Sequence, residues 1–190
     1  MGTRGFVSFV ADGQTKTAYN HFDSYPEGLG EDVLLWLRAA DLDAAKVRAQ
    51  ALRVVDDSTP PTDADIERLK PYCNPSVGGR TERPTWYQLL RETQGHPGAM
   101  LDAGAIEDAS SFPADSLFAE WGYVVDFDAM TFEVYRGFQT SRHSEGRFAD
   151  MPQRENDYFP VRLVKSWPLS DLPTDLAHHV DQVEGATDAA

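Results

Sequence analysis

The chain has 190 residues and carries 31 acidic against 17 basic side chains, a formal charge of −14. That balance argues against the basic footprint that nucleic-acid binding requires, so no direct nucleic-acid binding is expected, and no apolar run approaches the roughly 18 residues of a membrane-spanning helix. With 41% hydrophobic residues and 11% aromatics, the chain has enough apolar material for the core of one domain, expected over residues 1–184, with 185–190 as a flexible acidic tail.

The first element is a β-hairpin. Two β-prone runs, "RGFVSFVA" and "QTKTAYNHF", flank Asp12-Gly13, a pair that favours a two-residue type I′ turn. With these two residues as the loop, opposed positions sum to 25, so Phe6 faces Tyr19, Ser8 faces Thr17 and Arg4 faces His21. Alternation puts Val7, Phe9, Ala18 and Phe22 on a core face, together with Lys16 and Asn20. The other face is mixed, and its polar end gathers Arg4, Tyr19, His21 and Asp23.

A tight connection, "SYPEGLGED", follows. Its glycines do not make a phosphate cradle. The stretch lacks a lysine, and Glu27, Glu31 and Asp32 both satisfy the helix dipole and repel phosphate. Gly28 and Gly30 are expected to supply backbone angles closed to other residues. From Glu31, Val33, Leu37, Ala40, Ala44, Val47, Ala51 and Val54 recur at helical spacing, with Asp41 or Asp43 as a breakpoint between two helices. Thr62 or Asp63 caps the next short helix and Pro71 ends it. Thr85 caps another in "TWYQLLRETQG", which Gly95 closes. Residues 96–116 read as turns with one helical turn.

A second hairpin spans "LFAEWGYVVDFDAMTFEVYRGFQ", with strands near 118–127 and 131–138. Trp121, Tyr123, Val125 and Phe127 form its core face. Glu120 faces the other way and needs a partner, for which Arg4 and Arg136 are the candidates. "YFPVRLVKSWPL" is a fifth strand, and "SDLPTDLAHHVDQV" a closing helix before the tail. The order of elements implies an α+β fold: an antiparallel sheet of about five strands, built from two hairpins and a C-terminal strand, with helices on one side.

The stretches "MGTRGFVSFVADGQTKTAYNHFDSYPEGLG", "TWYQLLRETQG", "SLFAEWGYVVDFDAMTFEVYRGFQ" and "YFPVRLVKSWPL" resemble a family of small uncharacterised proteins of bacteria, notably actinobacteria, and their bacteriophages. The resemblance covers about residues 1–168. It implies a phage or mobile-element setting and carries over no catalytic residues.

The candidate site is therefore read from the residues alone. Arg4, Tyr19, His21, Asp23, Tyr25 and Glu120 are the expected ligand-binding residues. A small polar ligand or a host protein is the expected partner. His21 with Asp23 as its orienter is the candidate general-base pair of a hydrolase or transferase, and the scattered acids also allow a decoy of a basic partner. No metal site is expected, because His21, Asp23 and Glu27 could supply three ligands but no zinc-like spacing repeats elsewhere, and the sequence names no cofactor. The single cysteine, Cys73, cannot form an internal disulfide, and the opening lacks the pattern of a secretory leader, so a cytoplasmic location is expected.

Overall fold

The computed structural model describes residues 2–187. Strands β1 (Gly5–Ala11) and β2 (Gln14–Asn20) form the expected hairpin, with Phe6 opposite Tyr19 and Ser8 opposite Thr17. The hydroxyls of Ser8 and Thr17 meet at 2.8 Å across the pair. The second hairpin is β5 (Trp121–Asp126) and β6 (Thr131–Arg136), and β7 (Arg162–Pro168) adds to β6. Sheet order is β2-β1-β5-β6-β7.

The fold is α+β with five strands in its main sheet, but the sheet is mixed. β1 runs parallel to β5, from Gly5 beside Trp121 to Val10 beside Asp126. The reason is topological. The chain leaves the hairpin from edge strand β2, travels through the helices, and re-enters on the far side of β1. The two hairpins are thus stitched together at their first strands.

One face of the sheet carries Val7, Phe9, Tyr123, Val125, Phe132 and Val134 and is covered by helices. These are α1 (Glu31–Ala39), α2 (Leu42–Ala51), α5 (Pro97–Ala103) and α6 (Leu176–Thr187). Asp41 separates α1 from α2 by capping the second, its carboxylate accepting from the Ala44 amide at 3.0 Å. The break shifts the helical phase. Val33 and Leu37 are buried as expected, but α2 and the residue after it bury Ala45, Ala49 and Leu52, while Val47 is exposed. α6 runs three residues into the stretch expected to be tail, and 188–190 lie outside the described residues.

The mixed face is also buried. Phe6, Val10, Val124 and Tyr135 lie under Phe148 and Val161 from the long β6–β7 connection. Arg147 pins that connection down. Its guanidinium reaches Asp126 at 2.6 Å and Glu133 at 2.7 Å, and the Tyr135 hydroxyl donates to Glu133 at 2.7 Å. These mutual hydrogen bonds satisfy charges that would otherwise be costly to bury.

On the helical face, Lys16 ties the hairpin to α2. Its ammonium donates to the carbonyls of Ala49, Gln50 and Leu52 at 2.8–2.9 Å, at the C-terminal end of the helix, where the dipole favours a cation. A second, two-stranded parallel sheet, β3 (Arg53–Val55) and β4 (Ala105–Glu107), was not expected. Near it lie α3 (Asp63–Leu69) and α4 (Trp86–Leu89), capped by Thr62 and Thr85 as their sequences imply. Their cluster is centred on Leu69, Trp86 and Leu89.

The parallel joint depends on Gly122. A β-carbon there would collide with the Phe6 ring, which is fully buried and packs edge-on against Phe148. Gly122→Ala is therefore expected to destabilise the protein by about 1–3 kcal/mol. The double variant Phe6→Leu/Gly122→Ala should cost less than the sum of its single changes. Urea denaturation of the four proteins checks this, and simple additivity would contradict the contact.

Candidate functional site

The connection from β2 to α1 is built from the inside. Asn20 ends β2 with its side chain buried, and its amide donates to the Phe22 carbonyl and, at 2.8 Å, to Ser24 Oγ. Asp23 reverses the chain at φ 51°. The Ser24 amide donates to the Thr3 carbonyl at 3.1 Å. The Ser24 carbonyl accepts from the Tyr123 hydroxyl at 2.9 Å, and the Leu29 amide donates to the Asp23 carbonyl at 2.8 Å. Burial pushes the Tyr123 hydroxyl far above its usual range, so it stays a neutral donor.

A wide turn, Pro26–Gly30, then feeds α1. Neither Gly28 nor Gly30 has a positive φ, and Gly28 departs from the helical region at φ −101°, ψ −107°. They are demanded by space. A β-carbon at Gly28 would strike the Asp23 carbonyl, and one at Gly30 would press on Tyr123 and Leu176.

The expected site residues fall into two groups. Tyr19 and His21 meet directly, the hydroxyl 2.6 Å from His21 Nδ1. Arg4 stands nearby with its guanidinium 5.2 Å from the Phe118 ring. Its main-chain amide donates to Glu120 at 3.2 Å, so Glu120 finds Arg4 through the backbone rather than through the guanidinium. Asp23 and Tyr25 belong elsewhere, on the wall of a cleft.

The expected His21–Asp23 pair is not formed. Among the described residues, no hydrogen bond or ion pair joins them. β2 ends at Asn20, and the reversal at Asp23 breaks the alternation that would have pointed both side chains the same way. The same break removes Phe22 from the core face. It is 50% exposed and packs on the His21 ring at 4.3 Å. Burial, then Arg91, then Arg4 lower the His21 pKa below 6.5, which favours the neutral imidazole. Burial also raises the Tyr19 hydroxyl.

The cleft has a volume of about 480 Å³. One wall is the connection just described, with Phe22, Asp23, Tyr25 and Asp32. The facing wall comes from Asn74 and Val77 and from 91–96. Buried Gln88 organises that wall, donating to the carbonyls of Val77 and Gly79 at 2.9 and 3.1 Å and accepting from the Thr85 amide at 3.0 Å. Arg91 lies over Phe22 and Tyr87 at 5.8 and 5.9 Å and donates to Gln94. Glu92 accepts from Asn74 at 2.7 Å.

Sequence reading missed Asn74, Arg91 and Glu92 as site residues. Their approach to Asp23 is made by tertiary packing, and only the Thr85 capping signal pointed to ordered structure nearby. Among the described residues, no group of three or more His, Cys, Asp or Glu side chains has the geometry to hold a metal ion. Comparison with protein-family models, curated proteins and solved structures returned no match to this chain.

The neutral state of His21 has a measurable consequence. Its folded pKa lies below the 6.5 of the free side chain, so on acidification the unfolded state takes up this proton first. Stability assigned to His21 is complete above about pH 6.5 and declines as pH falls from there toward the folded pKa. Relative to His21→Gln, the native protein should therefore lose stability between about pH 7 and pH 5. Denaturation midpoints across that range test this, and a relative gain on acidification would contradict it.

Proposed function

We propose that this is a ligand-binding protein that takes a small polar molecule in the cleft between the β2–α1 connection and 91–96. The observation that carries this is the combination of a preformed wall with half-exposed aromatics. Phe22 and Tyr25 are 50% and 39% exposed beside the cleft, although the backbone under them is held from Thr3, Asn20 and Tyr123. Aromatic surface held rigid beside polar groups lowers the ordering cost of capturing a ligand.

The same geometry favours binding over general-base catalysis. Tyr19 occupies His21 Nδ1, no carboxylate among the described residues orients the ring, and burial, Arg91 and Arg4 depress its basicity. Of the residues expected to bind, Asp23 and Tyr25 line the cleft, while Arg4, Tyr19, His21 and Glu120 support the ground beside it. The resemblance to bacterial and phage proteins supports a phage or mobile-element setting, and the single Cys73 fits a reducing cytoplasm.

Native mass spectrometry of protein purified gently from its expressing cells tests this reading. A small-molecule adduct is expected on the native protein and on Arg4→Ala/His21→Ala, and is expected to be lost from Tyr25→Ala/Asp32→Asn. An adduct that survives the cleft substitutions, or a folded native protein with no adduct, would count against the cleft.

A further inference from the structure

Four formal charges line the cleft, three carboxylates (Asp23, Asp32 and Glu92) and one guanidinium (Arg91). None of them pairs with another. Arg91 donates to the neutral Gln94 side chain and stacks on Phe22 and Tyr87. Glu92 takes the Asn74 amide. Asp23 and Asp32 have no ionic partner among the described residues. Opposite charges that share a cleft would pair if their side chains could reach. Here the backbone reversal fixes Asp23, and two aromatic faces hold Arg91.

We infer that the cleft takes a small zwitterion with surplus positive charge, of the basic amino-acid class. This rests on the cleft being a ligand site. The ligand's carboxylate meets the planar fork of Arg91, which suits that group in shape as well as charge. Its ammonium and side-chain cation meet Asp23, Asp32 and Glu92. Its aliphatic stem lies on the exposed rings of Phe22 and Tyr25. A simple anion would face three carboxylates, and a simple polyamine would leave Arg91 unanswered while placing a cation beside it. A volume of about 480 Å³ accommodates a molecule of this size.

Isothermal titration of the full chain at about 0.15 M salt, with L-arginine and with agmatine, its counterpart lacking the carboxylate, tests the inference. L-arginine is expected to bind about tenfold more tightly than agmatine. Arg91→Gln should abolish that preference, Arg91→Lys should restore part of it, and Asp32→Asn should weaken both ligands. Equal or tighter agmatine binding to the native protein would overturn the inference, because it would show only general attraction of cations to a chain of charge −14. Absence of binding by both would overturn it too.

Amide chemical shifts separate this failure from failure of the cleft itself. Perturbation of Leu29 and Gly95 by neutral sugars or nucleosides, but not by L-arginine, would refute the zwitterion and keep the cleft. Silence toward all of them would refute both.

Discussion

Strand β1 is buried along its whole length, between β2 and β5 and covered on both faces, and β1 and β5 can close together only where Gly122 leaves room for the Phe6 ring. That joint brings Tyr123 beneath the β2–α1 connection, where its neutral hydroxyl holds the Ser24 carbonyl. The adjacent Gly5 and Trp121 positions also set how closely Ser24 approaches the sheet. The wall of the cleft is thus an outgrowth of the sheet's central pairing. Moving β5 by one residue would turn Tyr123 to the other face and withdraw the support.

The basic side chains are spent on fastening. Lys16 joins the first hairpin to the end of α2, and Arg147 joins the β6–β7 connection to the outer face through Asp126 and Glu133. Lys16 does so by donating to carbonyls at the end of α2, and Arg147 by pairing with two carboxylates that would be costly to bury without a cation. Arg91 differs from both. It lies over aromatic rings beside three carboxylates without pairing to them, so its charge stays available to the cleft.

Local physics was legible in the sequence wherever a few adjacent residues decide the outcome. Asp12-Gly13 set the hairpin register, Asp41, Thr62 and Thr85 capped helices, and alternation placed Trp121, Tyr123, Val125 and Phe127 in the core. Where the outcome depended on distant packing, reading failed. The parallel β1–β5 joint follows from where a crossover of about a hundred residues returns, which no local pattern encodes. Strands β3 and β4 have three residues each, too few for a period to show. The phase of α2 moved because the break at Asp41 resets the helix axis, burying Ala45 and Ala49 instead of Ala44 and Val47.

The candidate site was half legible for the same reason. Tyr19 and His21 share a strand end and meet as alternation requires, whereas Asp23 lies beyond a reversal that the extended-chain argument could not foresee. Asp23 and Tyr25 line a cleft shared with Arg91 and Glu92, apart from the Tyr19–His21 contact. Amide hydrogen exchange distinguishes a β2–α1 connection held rigid by the sheet from an open loop. The amides of Ser24 and Leu29, bonded to Thr3 and Asp23, are expected to exchange as slowly as those of β1 and β5. Exchange of these two amides at the rate of an open loop, while β1 and β5 stay protected, would show that the sheet does not hold the wall.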